Sequence, residues 1–95
     1  MRILVLGCGL VGRTIAQDLA KRHDVLVADN SKKALDLVPE LDTLLFDVAS
    51  KNSLKQKVSK FDLVVCAVPG FLGFETLKTV IEAGVNVVDI SFFPE

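Results

Sequence analysis

Gly7-Cys8-Gly9-Leu10-Val11-Gly12 limits this chain to very few folds, because an apolar run, Ile3 to Leu6, leads into it and an amphipathic segment leads out. In that context the first glycine permits a sharp turn from strand to helix. The second lets backbone approach a pyrophosphate, and the third lets helix and strand pack closely. Gly9 runs into the helix with no Ser, Thr, Asp or Asn to cap it. The first helical amides therefore need an outside acceptor, and a phosphate supplies one where the helix dipole favours negative charge. The pattern predicts a dinucleotide whose pyrophosphate lies on Gly7, Gly9, Leu10, Val11 and Gly12. A glycine-rich turn that binds nothing is the plainer alternative.

A second strand is expected over Asp24 to Asp29, with Val25-Leu26-Val27-Ala28 apolar and an acid at its end. Asp29 lies about 20 residues past the glycines, where a ribose contact belongs in such a fold. A carboxylate there accepts hydrogen bonds from the adenosine ribose hydroxyls and repels a 2′-phosphate, so NAD is expected over NADP. Asn30 is placed beside it in the cofactor-binding set. Ser31-Lys32-Lys33 argues the other way, since a hydroxyl and two cations suit a 2′-phosphate. The carboxylate acts at closer range than flexible, solvated lysines.

The 95 residues allow one domain, residues 1–95, with a modest core. A net charge of −1 leaves no basic footprint, so neither nucleic acid nor another polyanion is expected as partner. Met1-Arg2 leads straight into the first strand without a charged leader or spanning segment, which predicts a cytoplasmic protein away from membranes. In that compartment Cys8 and Cys66 are expected as packed thiols, not as a disulfide.

Apolar strands alternate with helix-period segments along the chain, the pattern of a parallel sheet covered on both faces. The first helix is expected from Leu10 to Arg22, burying Val11, Ile15 and Leu19, with Arg13, Gln17 and Lys21 pointing away. A short helix from Ser31 to Val38 stops before Pro39. Thr43 to Phe46 is the third strand, Leu54 and Val58 mark a third helix, and Leu63 to Val68 reads as a central strand. The last helix, about residues 72–83, buries Leu77, Val80 and Ile81 and ends at Gly84, before a strand from Asn86 to Ile90. The expected fold is α/β, a doubly wound parallel sheet of Rossmann type in the order 3-2-1-4-5, with its ligand crevice between strands one and four. Ala67 and Val68 would then face the glycine loop across that crevice. Pro69-Gly70 is either a contact or only a turn. Asp47 and Val48 would border the adenine, Val48 through backbone and apolar surface; an ordinary loop carboxylate is the other reading of Asp47.

Val64-Val65-Cys66-Ala67-Val68-Pro69-Gly70-Phe71-Leu72 and Ile81-Glu82-Ala83-Gly84-Val85-Asn86-Val87-Val88-Asp89-Ile90-Ser91 together resemble the saccharopine dehydrogenase and lysine 6-dehydrogenase family. The resemblance covers the whole chain. It implies the N-terminal half of an NAD(P)-dependent oxidoreductase acting on amino acids at a carbon bearing nitrogen. It also implies a pyrophosphate on the glycine loop, ribose on Asp29, and Ala67-Val68-Pro69 along the nicotinamide side. Asp89 and Ser91 would mark the passage toward a substrate domain.

Members of that family continue into a second domain, whereas this sequence stops at Phe92-Phe93-Pro94-Glu95. Cofactor binding without turnover is therefore expected, and no catalytic or metal-ligating residue is assigned. His23 reads as a solvated residue at a helix end. Phe92 and Phe93, with open edges on strands three and five, suggest a homodimer or a missing substrate domain, and a plain hydrophobic tail is the equal alternative. The alternative function is a nucleotide-sensing regulatory domain, because Ile3 to Asp29 also resembles domains that gate potassium transport.

Overall fold

The computed structural model describes residues 1–90; Ser91, Phe92 and Phe93 lie outside them. Among the described residues nine elements alternate: β1 (Arg2–Leu6), α1 (Leu10–Leu19), β2 (Asp24–Asp29), α2 (Lys32–Leu35), β3 (Asp42–Leu45), α3 (Lys51–Val58), β4 (Leu63–Cys66), α4 (Gly70–Glu82) and β5 (Val87–Asp89). All five strands are parallel and lie in the expected order, β3-β2-β1-β4-β5. The chain reverses its direction of travel between β1 and β4, which opens a crevice beyond their carboxyl ends.

Alternation along β1 divides the core. Leu4 and Leu6 face α3 and α4, where they meet Leu54, Val58, Val64 and Val80. Ile3 and Val5 face α1 and α2, where they meet Ala16, Val27, Leu35 and Val38. Every one of these side chains is at least 94% withdrawn from solvent, so the sheet is sealed on both faces around its centre. α3 and α4 also join at the surface, through Lys51–Glu75 at 3.2 Å and Lys55–Glu82 at 3.7 Å.

Two helices turn differently from expectation. In α1 the buried residues are Gly12 and Ala16, while Val11 is exposed and Ile15 and Leu19 are only half-buried. Small side chains let this helix lie close against the sheet, and Ile15 and Leu19 pack against the same core on either side of them, partly buried. Nor do Arg13 and Gln17 simply face water: Arg13 is half-buried and Gln17 Nε2 donates to Glu40 at 2.9 Å. In α4 the buried residues are Gly73, Thr76, Thr79 and Val80, while Ile81 is 59% exposed and Leu77 half-buried. The buried hydroxyls are satisfied within the helix, Thr76 donating to the Leu72 carbonyl at 2.7 Å and Thr79 to that of Glu75 at 3.0 Å.

Several ends also shift. α1 stops at Leu19, α2 is a single turn, β4 ends at Cys66, and β5 spans only three residues. Ala67 nevertheless continues the β1–β4 pairing, its N–H donating to the Leu6 carbonyl at 2.8 Å. That bond carries the β4–α4 loop up beside the glycine loop.

Candidate cofactor-binding site

The glycine loop is held by contacts that leave no room for side chains. Gly7 sits at φ +104°, and a Cβ there would lie 2.8 Å from the Ala67 carbonyl oxygen. A Cβ on Gly12 would fall on the Gly7 carbonyl and 3.2 Å from Ala67 Cβ. Gly9 is different: its backbone is ordinary extended chain (φ −72°, ψ −172°) and a Cβ on it would meet nothing within 4 Å. Gly7 and Gly12 are thus glycines because the fold is crowded there. Gly9 borders open space.

That space is a cavity of about 490 Å³ at the switch point, within the range of small-molecule and cofactor pockets. Gly7, Gly9, Leu10, Val11 and Gly12 line it from the glycine loop, Asp29 and Asn30 from the end of β2, and Ala67, Val68 and Pro69 from the β4–α4 loop packed beside the glycines. Val48 lines it from the β3–α3 loop, but Asp47 does not; its carboxylate accepts from the Ala49 N–H at 2.9 Å and serves its own turn. The sequence reading missed Ala28, Phe46, Leu72 and Ile90 as lining residues. Phe46 had a signal: it follows an edge strand at the level of Asp29, whose carbonyl accepts from the Phe46 N–H at 2.9 Å.

At the cavity wall α1 begins at Gly9 with no side-chain cap. The N–H groups of Leu10, Val11 and Gly12 precede the first intrahelical bond, from Arg13 N–H to the Gly9 carbonyl at 2.9 Å. α4 also starts without a side-chain cap, at Pro69, which lines the same cavity. Leu10 is 69% exposed, a large apolar side chain left open where the helix meets the cavity. Open space at Gly9, uncapped amides and an acid at the end of β2 fit a dinucleotide.

Asp29 is fixed from two sides. One carboxylate oxygen accepts from Cys8 N–H at 2.6 Å and the other from Ser31 N–H at 2.8 Å, so the side chain ties the glycine loop to the β2–α2 loop. A carboxylate offers about four acceptor sites, which leaves two for ribose hydroxyls. Cys8 lies directly beneath, fully buried, its Sγ donating to the Ala34 carbonyl at 3.4 Å. Burial, and then the charge of Asp29, push its pKa above the ordinary 9.0, against a lowering by Arg13. Stability from this raised value is complete below pH 9.0 and is lost as pH rises through the folded value. Cys8 is expected to resist thiol reagents at pH 8 in the folded protein and to react in denaturant, which a colorimetric thiol assay checks.

Residues 3–95 match the family described as the saccharopine dehydrogenase NADP binding domain. This chain belongs to that family. It is an NAD(P)-binding domain of saccharopine dehydrogenase type. Apo saccharopine dehydrogenase (L-Glu forming) from Saccharomyces cerevisiae shares the fold with TM-score 0.81 at 21% identity, over 98% of this chain and 22% of that one. The NAD(P)-binding domain of an exopolyphosphatase-related protein from Archaeoglobus fulgidus matches with TM-score 0.78 at 18% identity, over 92% of this chain and 70% of that one. Uronate dehydrogenase from Agrobacterium tumefaciens matches with TM-score 0.67 at 24% identity, over 93% and 39%. The present chain therefore spans about a fifth of the length of the saccharopine dehydrogenase it matches.

Because alanine at Gly9 fits the backbone and meets no atom, Gly9→Ala is expected to change stability by no more than about 0.5 kcal/mol. The methyl group fills the approach to the amides, so NAD affinity falls about tenfold, or about 1.4 kcal/mol. Denaturant midpoints and titration calorimetry on the same preparation separate the two effects.

Proposed function

We propose that residues 1–95 form one dinucleotide-binding domain, the cofactor half of an amino-acid dehydrogenase, with NAD preferred over NADP. The pyrophosphate lies on the amides of Leu10, Val11 and Gly12, and the adenosine ribose on Asp29. The adenine lies toward Val48, with Asn30 at its ribose end. Ala67, Val68 and Pro69 run along the nicotinamide side. When bound, the nicotinamide accepts or gives hydride; the chain's own residues place it and exclude water. The observation that carries this reading is the fixed Asp29 carboxylate beside a glycine loop that borders open space.

Positioning an amino acid against the nicotinamide requires groups that the described residues do not gather, so a substrate domain or a second copy of the chain completes the site. The exposed apolar residues of α4, Phe71, Phe74 and Ile81, suit such a covering partner. Two buried thiols that form no disulfide with each other suit a reducing, cytoplasmic setting. No helix among the described residues is long and apolar enough to cross a membrane.

Titration calorimetry with NAD and NADP tests the reading. One-to-one binding of NAD, tighter than that of NADP, is expected; the reverse order overturns the preference, and no binding of either overturns the assignment. A nucleotide-sensing regulatory domain is the second reading, since the cavity, the glycine loop and the fixed Asp29 would serve a nucleotide sensor equally. It requires that NAD change the oligomeric state in gel filtration.

A further inference from the structure

The two flanks of α4 are unlike. Glu75 and Glu82 mark the flank that meets α3, through their pairs with Lys51 and Lys55. Phe74, Leu77 and Ile81, spaced three and four residues apart, share the other flank, toward β5, and line a shallow groove there. Phe74 is 55% and Ile81 59% exposed. Leu77, with Val87 of β5, packs against the core of that face and stays only partly buried.

β5 is an outer strand of the sheet among the described residues. Two of its flanking groups turn to β4: the Asn86 carbonyl accepts from Val64 N–H at 2.9 Å, and Ile90 N–H donates to the Cys66 carbonyl at 3.0 Å. Alternation therefore turns the N–H and C=O of Val87 to the open edge. Such an edge is a template for another strand, and proteins commonly blunt it with Lys or Pro, neither of which occurs from Val85 to Ile90. Helix and strand are also in step. Cys66 stands level with Asp89, and its Sγ lies 3.9 Å from the Gly73 carbonyl. From there to Leu77 is about 6 Å down α4, and from Asp89 back to Val87 about 6.6 Å down β5, so Leu77 stands level with Val87.

We infer that the chain pairs with a second copy of itself through the β5 edge and the α4 flank, about a twofold axis that passes Val87 and Leu77. One axis satisfies both elements. Val87 exchanges both backbone hydrogen bonds with its counterpart in an antiparallel pair, Leu77 meets its counterpart, and Phe74 meets Ile81 across the axis. α4 packs on both β4 and β5, so the two helices lie about two strand spacings apart, about 9.6 Å, within the usual distance of about 8–10 Å for packed helices. The seam is apolar along its middle, and the exposed Lys78 and Glu82 stay at its rim. Two helix flanks and two strand edges bury about 1,000 Å² in all, the lower limit for a specific interface, so a dimer of micromolar strength is expected. Antiparallel pairing turns the two cofactor cavities to opposite ends of the joint sheet and leaves both open.

Sedimentation equilibrium of the whole chain, at concentrations up to about 1 mM, tests the pairing. The wild type is expected to dimerise. Phe74→Glu, at an exposed position, weakens the dimer about 100-fold by setting a charge in the seam, whereas Leu45→Glu, on the opposite edge at β3, leaves it within about twofold. Adding Ile81→Lys to Phe74→Glu regains about tenfold, because each glutamate then meets a lysine across the axis, while within one helix the two positions stand two turns apart. A wild type that stays monomeric at every concentration overturns the inference. So does a dimer broken by Leu45→Glu and spared by Phe74→Glu, or a double variant no better than the single one. Circular dichroism checks that each variant is folded. NAD affinity of Phe74→Glu is expected within about twofold of wild type, because the seam lies away from the cavity. Should NAD bind neither protein, the cofactor reading fails while sedimentation still decides the pairing.

Discussion

Gly12→Val is expected to cost the domain about 3 kcal/mol of stability, the upper end of what overpacking does to a closed interior. The reason is local. A Cβ at this position lands on the Gly7 carbonyl and presses on Ala67 at 3.2 Å, so both the strand-to-helix turn and the β4–α4 loop must move. Neither moves freely, because Gly7 N–H is bonded to the Ala28 carbonyl and Ala67 N–H to that of Leu6, each at 2.8 Å. α1 must tilt off the sheet instead, which uncovers Ala16 and the side of the core it seals. Urea denaturation should show a lower midpoint with an unchanged slope. Set beside the nearly neutral Gly9→Ala, this shows three glycines of one motif kept for two reasons, close packing at two and open access at the third.

Asp29→Ala is expected to lower NAD affinity about 100-fold, the value of two hydrogen bonds from ribose hydroxyls to a charged acceptor. NADP affinity is expected to change by about threefold or less, because the same substitution removes the charge that repels the 2′-phosphate. Stability falls as well, by about 1–3 kcal/mol, since the N–H groups of Cys8 and Ser31 lose their acceptor in a partly buried place. Asp29→Asn separates the contributions: it keeps an acceptor for one of those groups and removes the charge. Paired calorimetric titrations with the two cofactors, alongside denaturant midpoints, read both effects.

The sheet order was legible because each strand carries a near-continuous apolar run and each crossover must be right-handed. The lining of the cavity was legible where backbone chemistry dictates residue type, at Gly7, Gly9, Gly12 and Asp29. It was illegible where shape does. Hydrophobic periodicity selects Val11, Ile15 and Leu19 as the buried face of α1, but close approach to a sheet selects small residues, and Gly12 and Ala16 have almost no hydrophobic signal. In α4 the same blindness passes over Thr76 and Thr79, whose hydroxyls vanish into the helix's own carbonyls. Phe46 and Ile90 line the cavity because strands β3 and β5 end one residue before them, and strand ends are where pattern reading is weakest.

Binding at the switch point would put the pyrophosphate of a dinucleotide on the start of α1 and its ribose on Asp29. Amide proton–nitrogen NMR during an NAD titration tests it most directly, because every group named above reports separately. Saturable shifts are expected at Gly9 through Gly12, Asn30 and Ser31, and Ala67 and Val68, with the distant face of α4 unmoved. A spectrum that does not change, or shifts confined to Phe74 through Ile81, would contradict it.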